Sequence, residues 1–141
     1  ARYPKGWEVY DPDRPEKVET VYFFDLHAGP DNLTRAMLIS PDGDMGVSVI
    51  WDKRRLPCLT LWQLCTGEVV GVEPGTNWPT PYQNELTKRR IRTLAHRESA
   101  EHVVTVLVHP DRASVADGRR AVDELCQGAQ MNALPQPNPA W

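Results

Sequence analysis

From residue 18 onward, apolar side chains recur at every second position in short runs, and Gly, Pro, Asp or Asn separates one run from the next. That is the periodicity of β-strands. Seven runs fit it, at 18–28, 33–40, 46–51, 58–65, 68–72, 89–95 and 102–109. Val47, Val49 and Trp51 alternate with Ser48, Ile50 and Asp52, and Val104, Val106 and Val108 with Thr105, Leu107 and His109. Where both alternating sets are apolar, both faces of the strand are expected to be covered. Ser40-Pro41-Asp42-Gly43-Asp44 joins the second run to the third and predicts a hairpin, because Pro presets one turn dihedral and Gly accepts a positive one.

The period lengthens once, late in the chain. Val115, Ala121, Val122 and Leu125 stand at helical spacing, which predicts one helix over 114–127 with Ser114 as its cap and Gly128 as its stop. Before the strands, residues 1–15 carry Pro4, Gly6, Pro12 and Pro15 without a sustained period and are expected to be an extended lead-in. After the helix, Pro135, Pro137 and Pro139 remove alternate backbone donors, so 129–141 reads as a Pro-rich tail. The domain itself is expected over 16–128.

Bulk properties narrow the function classes. A chain of 141 residues, 40% hydrophobic and 25% charged, is long enough to bury a core without disulfides or metal. Net charge is −3, and the basic clusters Lys53-Arg54-Arg55 and Lys88-Arg89-Arg90 are short, which argues against nucleic acid as a partner. No apolar stretch approaches the roughly 18 residues of a membrane span, and the N-terminus lacks a signal-peptide pattern, so the expectation is a cytoplasmic protein. Cys58, Cys65 and Cys126 form no CxxC pair and have no histidines at ligand spacing. They are expected to be reduced, mostly buried thiols, and no metal or cofactor is expected.

The chemistry-bearing stretch is Leu56-Pro57-Cys58-Leu59-Thr60-Leu61-Trp62, followed by Val70-Gly71-Val72-Glu73-Pro74-Gly75-Thr76-Asn77-Trp78-Pro79. Here a carboxylate ends an apolar run and a Pro-Gly turn is expected directly after it. A strand-end Glu facing a cleft can be partly desolvated and serve as a general base. A solvated Glu closing a strand is the plainer reading of the same residue.

These segments resemble the aldose 1-epimerase (galactose mutarotase-like) superfamily, and within it the bacterial aldose-epimerase-like proteins first catalogued as a domain of unknown function. The matching stretches are 56–62, 71–77 and Leu94-Ala95-His96-Arg97-Glu98-Ser99, with Glu19-Thr20-Val21-Tyr22-Phe23-Phe24-Asp25-Leu26 upstream. The resemblance implies an all-β fold, an antiparallel β-sandwich with one late α-helix, of which this chain is the C-terminal portion. It also implies ring opening of a sugar hemiacetal, with Glu73 taking the proton from the anomeric hydroxyl and no metal or nucleotide involved. By similarity Glu19 is a sugar-hydroxyl ligand and Trp62 an aromatic wall for the sugar. Asn77 is a loop ligand, although a loop Asn also serves to satisfy its own turn.

The family's acid is a His within an aromatic-His-x-Asn motif, which this chain lacks. His27, His96, His102 and His109 read as surface residues. The activity is therefore expected to need the missing half, a partner chain or a homodimer that completes the sandwich. The alternative is a non-catalytic carbohydrate-binding or self-associating module, with Trp62 and Trp78 as an aromatic platform.

Overall fold

Alternating β-branched and aromatic residues favour extended backbone because their side chains pack well on a pleated surface. In the computed structural model, which describes residues 6–8, 19–64, 69–129, 132 and 134, they form β1 Thr20–Phe24, β2 Leu33–Ile39, β3 Gly46–Asp52, β4 Cys58–Leu64, β5 Val69–Gly75 and β6 Val104–His109. Two helices accompany them, α1 Tyr82–Thr87 and α2 Arg112–Cys126. The strands make two three-stranded antiparallel sheets, ordered β1-β4-β5 and β2-β3-β6. Two antiparallel sheets with few helices are the all-β class read from the sequence. Most of the expected lead-in and Pro-rich tail, together with Cys65, lies outside the described residues. None of the described helices is long and apolar enough to cross a membrane.

The chain divides into two compact units, one drawn from residues 1–25, 58–93 and 130–141 and the other from 26–57 and 94–129. In the first unit β4 is central, and its residues Cys58, Leu59, Thr60, Leu61 and Gln63 are all buried. Pro74 lies in β5, an outer strand of this sheet, where a residue without an N–H is tolerated.

In the second unit β3 is central. Trp51 is buried, and its indole N–H donates to the Leu56 carbonyl at 2.9 Å, so burial leaves no polar atom stranded. The hairpin forms as expected: Gly43 has φ of 68°, its N–H donates to Ser40 O, and Ser40 N–H donates to Met45 O. Helix α2 lies against this sheet, with Val115 buried and the Met37 methyl and His109 ring so near Gly118 that an added Cβ would fall 2.8 Å from each.

Four expectations are corrected. Residues 89–95 form no strand, because Arg89 adopts a left-handed φ of 56° after α1 and Arg90 N–H turns back to the Glu85 carbonyl. Helix α1 itself, six residues long, was not foreseen, since it is too short to show a period. Helix α2 starts two residues early, capped by Asp111 and not Ser114. The two form a reciprocal box in which Ser114 N–H donates to Asp111 Oδ1 at 2.8 Å and Asp111 N–H to Ser114 Oγ at 3.2 Å. Finally, β6 is not covered on both faces, and Val104 to Val108 are exposed.

The thiols divide as well. Cys58 is a buried thiol, as expected, whereas Cys126, at the end of α2, is an exposed one.

Candidate functional site

Register decides which side chains meet on a sheet, because directly opposed residues point to the same side. In the first sheet Val21, Trp62 and Gly71 form one cross-strand row, and Phe23, Thr60 and Glu73 the row two residues on. Strand alternation puts both rows, with Glu19, on one face. Three of the four residues singled out in the sequence, Glu19, Trp62 and Glu73, therefore share a surface.

Their geometry is specific. The Trp62 indole N–H donates to a Glu19 carboxylate oxygen. Glu73 is exposed, and its Oε1 lies over Gly71, so close that a Cβ at residue 71 would approach it to 2.5 Å. The same Cβ would stand 3.4 Å from Cβ of Trp62. The absent side chain of Gly71 is thus what lets the Glu73 carboxylate rest against the strand beside Trp62. The face carries one carboxylate on each flank of a half-buried indole.

Glu73 differs from the sequence expectation in place and setting. It is not at a strand end, because β5 continues through Pro74 and Gly75, which pair with Leu59 and Cys58. It is exposed, not half-desolvated. Two depressions, of about 450 and 340 Å³, lie along the other sheet, one bordered by Leu33, Ile50 and Arg55 and the other by Leu38, Val47 and Val108. Neither includes Glu73.

Asn77 takes the plainer of its two roles. Its Oδ1 accepts from Thr76 Oγ1 at 3.0 Å and its Nδ2 donates to the Trp78 carbonyl at 2.9 Å, so its amide is engaged by its own loop. Trp78 is no exposed platform residue. It is buried, with its ring 5.0 Å from that of Phe23 on the Glu73 face.

The loop that holds Trp78 is organised by a residue the sequence reading missed. Glu85, on α1, is 1% exposed and makes paired contacts with Arg90: Nε donates to Oε2 at 2.8 Å and Nη2 to Oε1. The Thr80 hydroxyl also donates to Oε1, and the Trp78 N–H to the carboxylate. The Arg90 guanidinium outweighs burial and, with the help of Thr80, holds the Glu85 carboxyl down at about 2. A buried, fully bonded carboxylate of this kind is a fastener. Its only sequence signal was an acidic and a basic residue five apart, of which Arg90 alone fell in the run 89–95 read as a strand.

All four histidines fall in the second unit. His27, His96 and His102 are exposed, as read. His109 is not: it is 4% exposed, and its Nε2 lies 2.8 Å from Ser48 Oγ beneath α2. Its ring fills the space above Gly118 and is committed to packing.

A family model described as "Domain of unknown function (DUF4432)" matches residues 2–108. The chain is also similar to a solved structure of a candidate aldose 1-epimerase from Klebsiella pneumoniae subsp. pneumoniae MGH 78578, with a TM-score of 0.75 and 31% identity. That likeness covers 85% of this chain and 33% of the other, so the chain spans about a third of that protein's length. No curated protein sequence matches the chain.

Proposed function

Because the chain belongs to the family described as domain of unknown function (DUF4432) and has an aldose-epimerase-like fold, we propose that the Glu73 face of its first sheet binds a sugar, with Glu73 as the base of a mutarotation. The observation that carries this reading is the arrangement of Glu19, Trp62 and Glu73 on one face. An indole offers a flat apolar surface to the C–H face of a pyranose, and flanking carboxylates accept hydrogen bonds from its hydroxyls.

In the proposed reaction Glu73 accepts the proton of the anomeric hydroxyl, the bond from the anomeric carbon to the ring oxygen breaks, and the ring oxygen takes a proton from an acid. The aldehyde then rotates and the ring closes on either face. The acid comes from outside the first unit, since none of the four histidines belongs to it. A partner chain or further polypeptide of the same fold is the proposed source.

The test is saturation-transfer NMR or polarimetry on freshly dissolved α-glucose and α-galactose. Catalysis above the spontaneous rate that falls roughly 100-fold or more in Glu73→Gln supports the reading. One observation favours a second reading, sugar binding without catalysis: Glu73 is exposed on its sheet face and enclosed by no cleft among the described residues. Under that reading the chain gives no rate, yet tryptophan fluorescence responds to sugar and the response is lost in Trp62→Ala. Absence of both signals overturns the two readings together.

A further inference from the structure

Charge on the face that carries Glu19, Trp62 and Glu73 is of one sign. Strands β1, β4 and β5 contain no Lys, Arg or His, and among the described residues neither Glu19 nor Glu73 has an ion-pair partner. The described Lys and Arg residues of the first unit, Lys88, Arg89, Arg90 and Arg92, all follow α1, and Arg90 is committed to Glu85. The Trp62 N–H takes one acceptor position of the Glu19 carboxylate, and an ionised carboxylate offers about four. Glu19 and Glu73 are both exposed, so acceptor capacity on each side of the indole faces outward.

The ring favours the same sign as its flanks. Indole attracts a cation to its π-face more strongly than the other aromatic side chains do. A neutral sugar meets the two carboxylates through hydroxyl donation alone. A cationic sugar adds Coulomb attraction to both, and an anionic one sets like charges together with no cation in the three strands to offset them.

Resting on the sugar-binding reading above, we propose that this face selects amino sugars in their protonated form over neutral sugars and turns away uronic acids and sugar phosphates. An ammonium group is three donors with no acceptor, which matches groups that only accept. The amine of a 2-amino sugar stands beside the electron-poor anomeric carbon and resembles a peptide α-amino group, which titrates near pH ~8, so it carries its charge at about pH 6. Exposure limits the gain. Each exposed carboxylate is worth roughly two- to fivefold in affinity, so the pair gives about tenfold, and salt weakens it.

Tryptophan fluorescence titrations of the 141-residue chain with glucosamine, glucose, glucuronate and glucose 6-phosphate, at about pH 6 and low salt, test the proposal. Glucosamine is expected to bind about tenfold tighter than glucose, and the two anions about tenfold weaker. Glu19→Gln and Glu73→Gln each reduce the glucosamine-to-glucose ratio about threefold, whereas Glu124→Gln, exposed on α2, leaves it unchanged. At about pH 9.5, where the amine is neutral, the preference disappears in the unaltered chain, so the outcome does not depend on how any variant folds. No response to any of the four sugars overturns the sugar-binding reading and this proposal with it. A response to glucose with glucosamine no tighter, anions bound as well as glucose, or a preference that survives both Glu→Gln changes overturns the charge selection alone and leaves sugar binding in place.

Discussion

Gly71 shows how a single missing side chain sets the candidate site. A methyl group there would meet Glu73 Oε1 at 2.5 Å, but that oxygen is the far end of a flexible side chain, so the carboxylate can swing away at little cost. Gly71→Ala is therefore expected to change stability by less than about 1 kcal/mol while weakening the sugar response nearly as much as Glu73→Gln. Chemical denaturation paired with fluorescence titration checks this. Glu85 is the opposite case, a residue whose loss is felt in stability. Glu85→Ala leaves the partly buried Arg90 guanidinium and the Thr80 hydroxyl without their acceptor and is expected to cost about 2–3 kcal/mol in urea unfolding. Since folding lowers the Glu85 pKa from 4.5 to about 2, its contribution is full above about pH 4.5 and is lost as pH falls toward 2. The loss of stability across that acid window should shrink in Glu85→Gln, and an unchanged slope would remove Glu85 as its cause.

At the scale of elements, α2 depends on its first turn. Asp111 and Ser114 each satisfy the other's N–H, and hydrogen bonding from Ser114 holds the Asp111 carboxyl below its usual range. Asp111→Ala is expected to lower the thermal midpoint by roughly a few degrees, and Asp111→Asn, an equally good cap, by much less. The sequence placed this helix correctly but missed its start, because Ser114 and Asp111 are both residues that cap. Only the backbone, with Asp111 extended at φ −151° and ψ 168°, separates the cap from the third helical residue. Strand β5 shows the same limit. Glu73-Pro74-Gly75 has the composition of a turn, yet pairing with Cys58 and Leu59 keeps it extended.

At the scale of the whole molecule, the sequence by itself determined the place and period of the six strands, though it added a seventh at 89–95, and it determined the hairpin at Gly43, the late helix and the family. These follow from local signals: alternation of apolar residues, turn chemistry, and motifs that lie within a few residues of one another. What only the tertiary structure decided is which residues meet. Glu19 and Trp62 are far apart in the chain and become hydrogen-bonded through the register of β1 on β4, while Glu73 reaches Trp62 through the register of β5 on β4 and the bare backbone of Gly71. Whether a strand is covered is likewise a property of its neighbours. Val47 and Val49 alternate as Val104, Val106 and Val108 do, but β3 lies between two strands and β6 has one, so similar patterns end half-buried in one case and exposed in the other. Periodicity reports what a residue can pack against. Pairing in three dimensions supplies the partner, and it was pairing that turned Glu73 from a strand-end carboxylate into one of two flanking an indole.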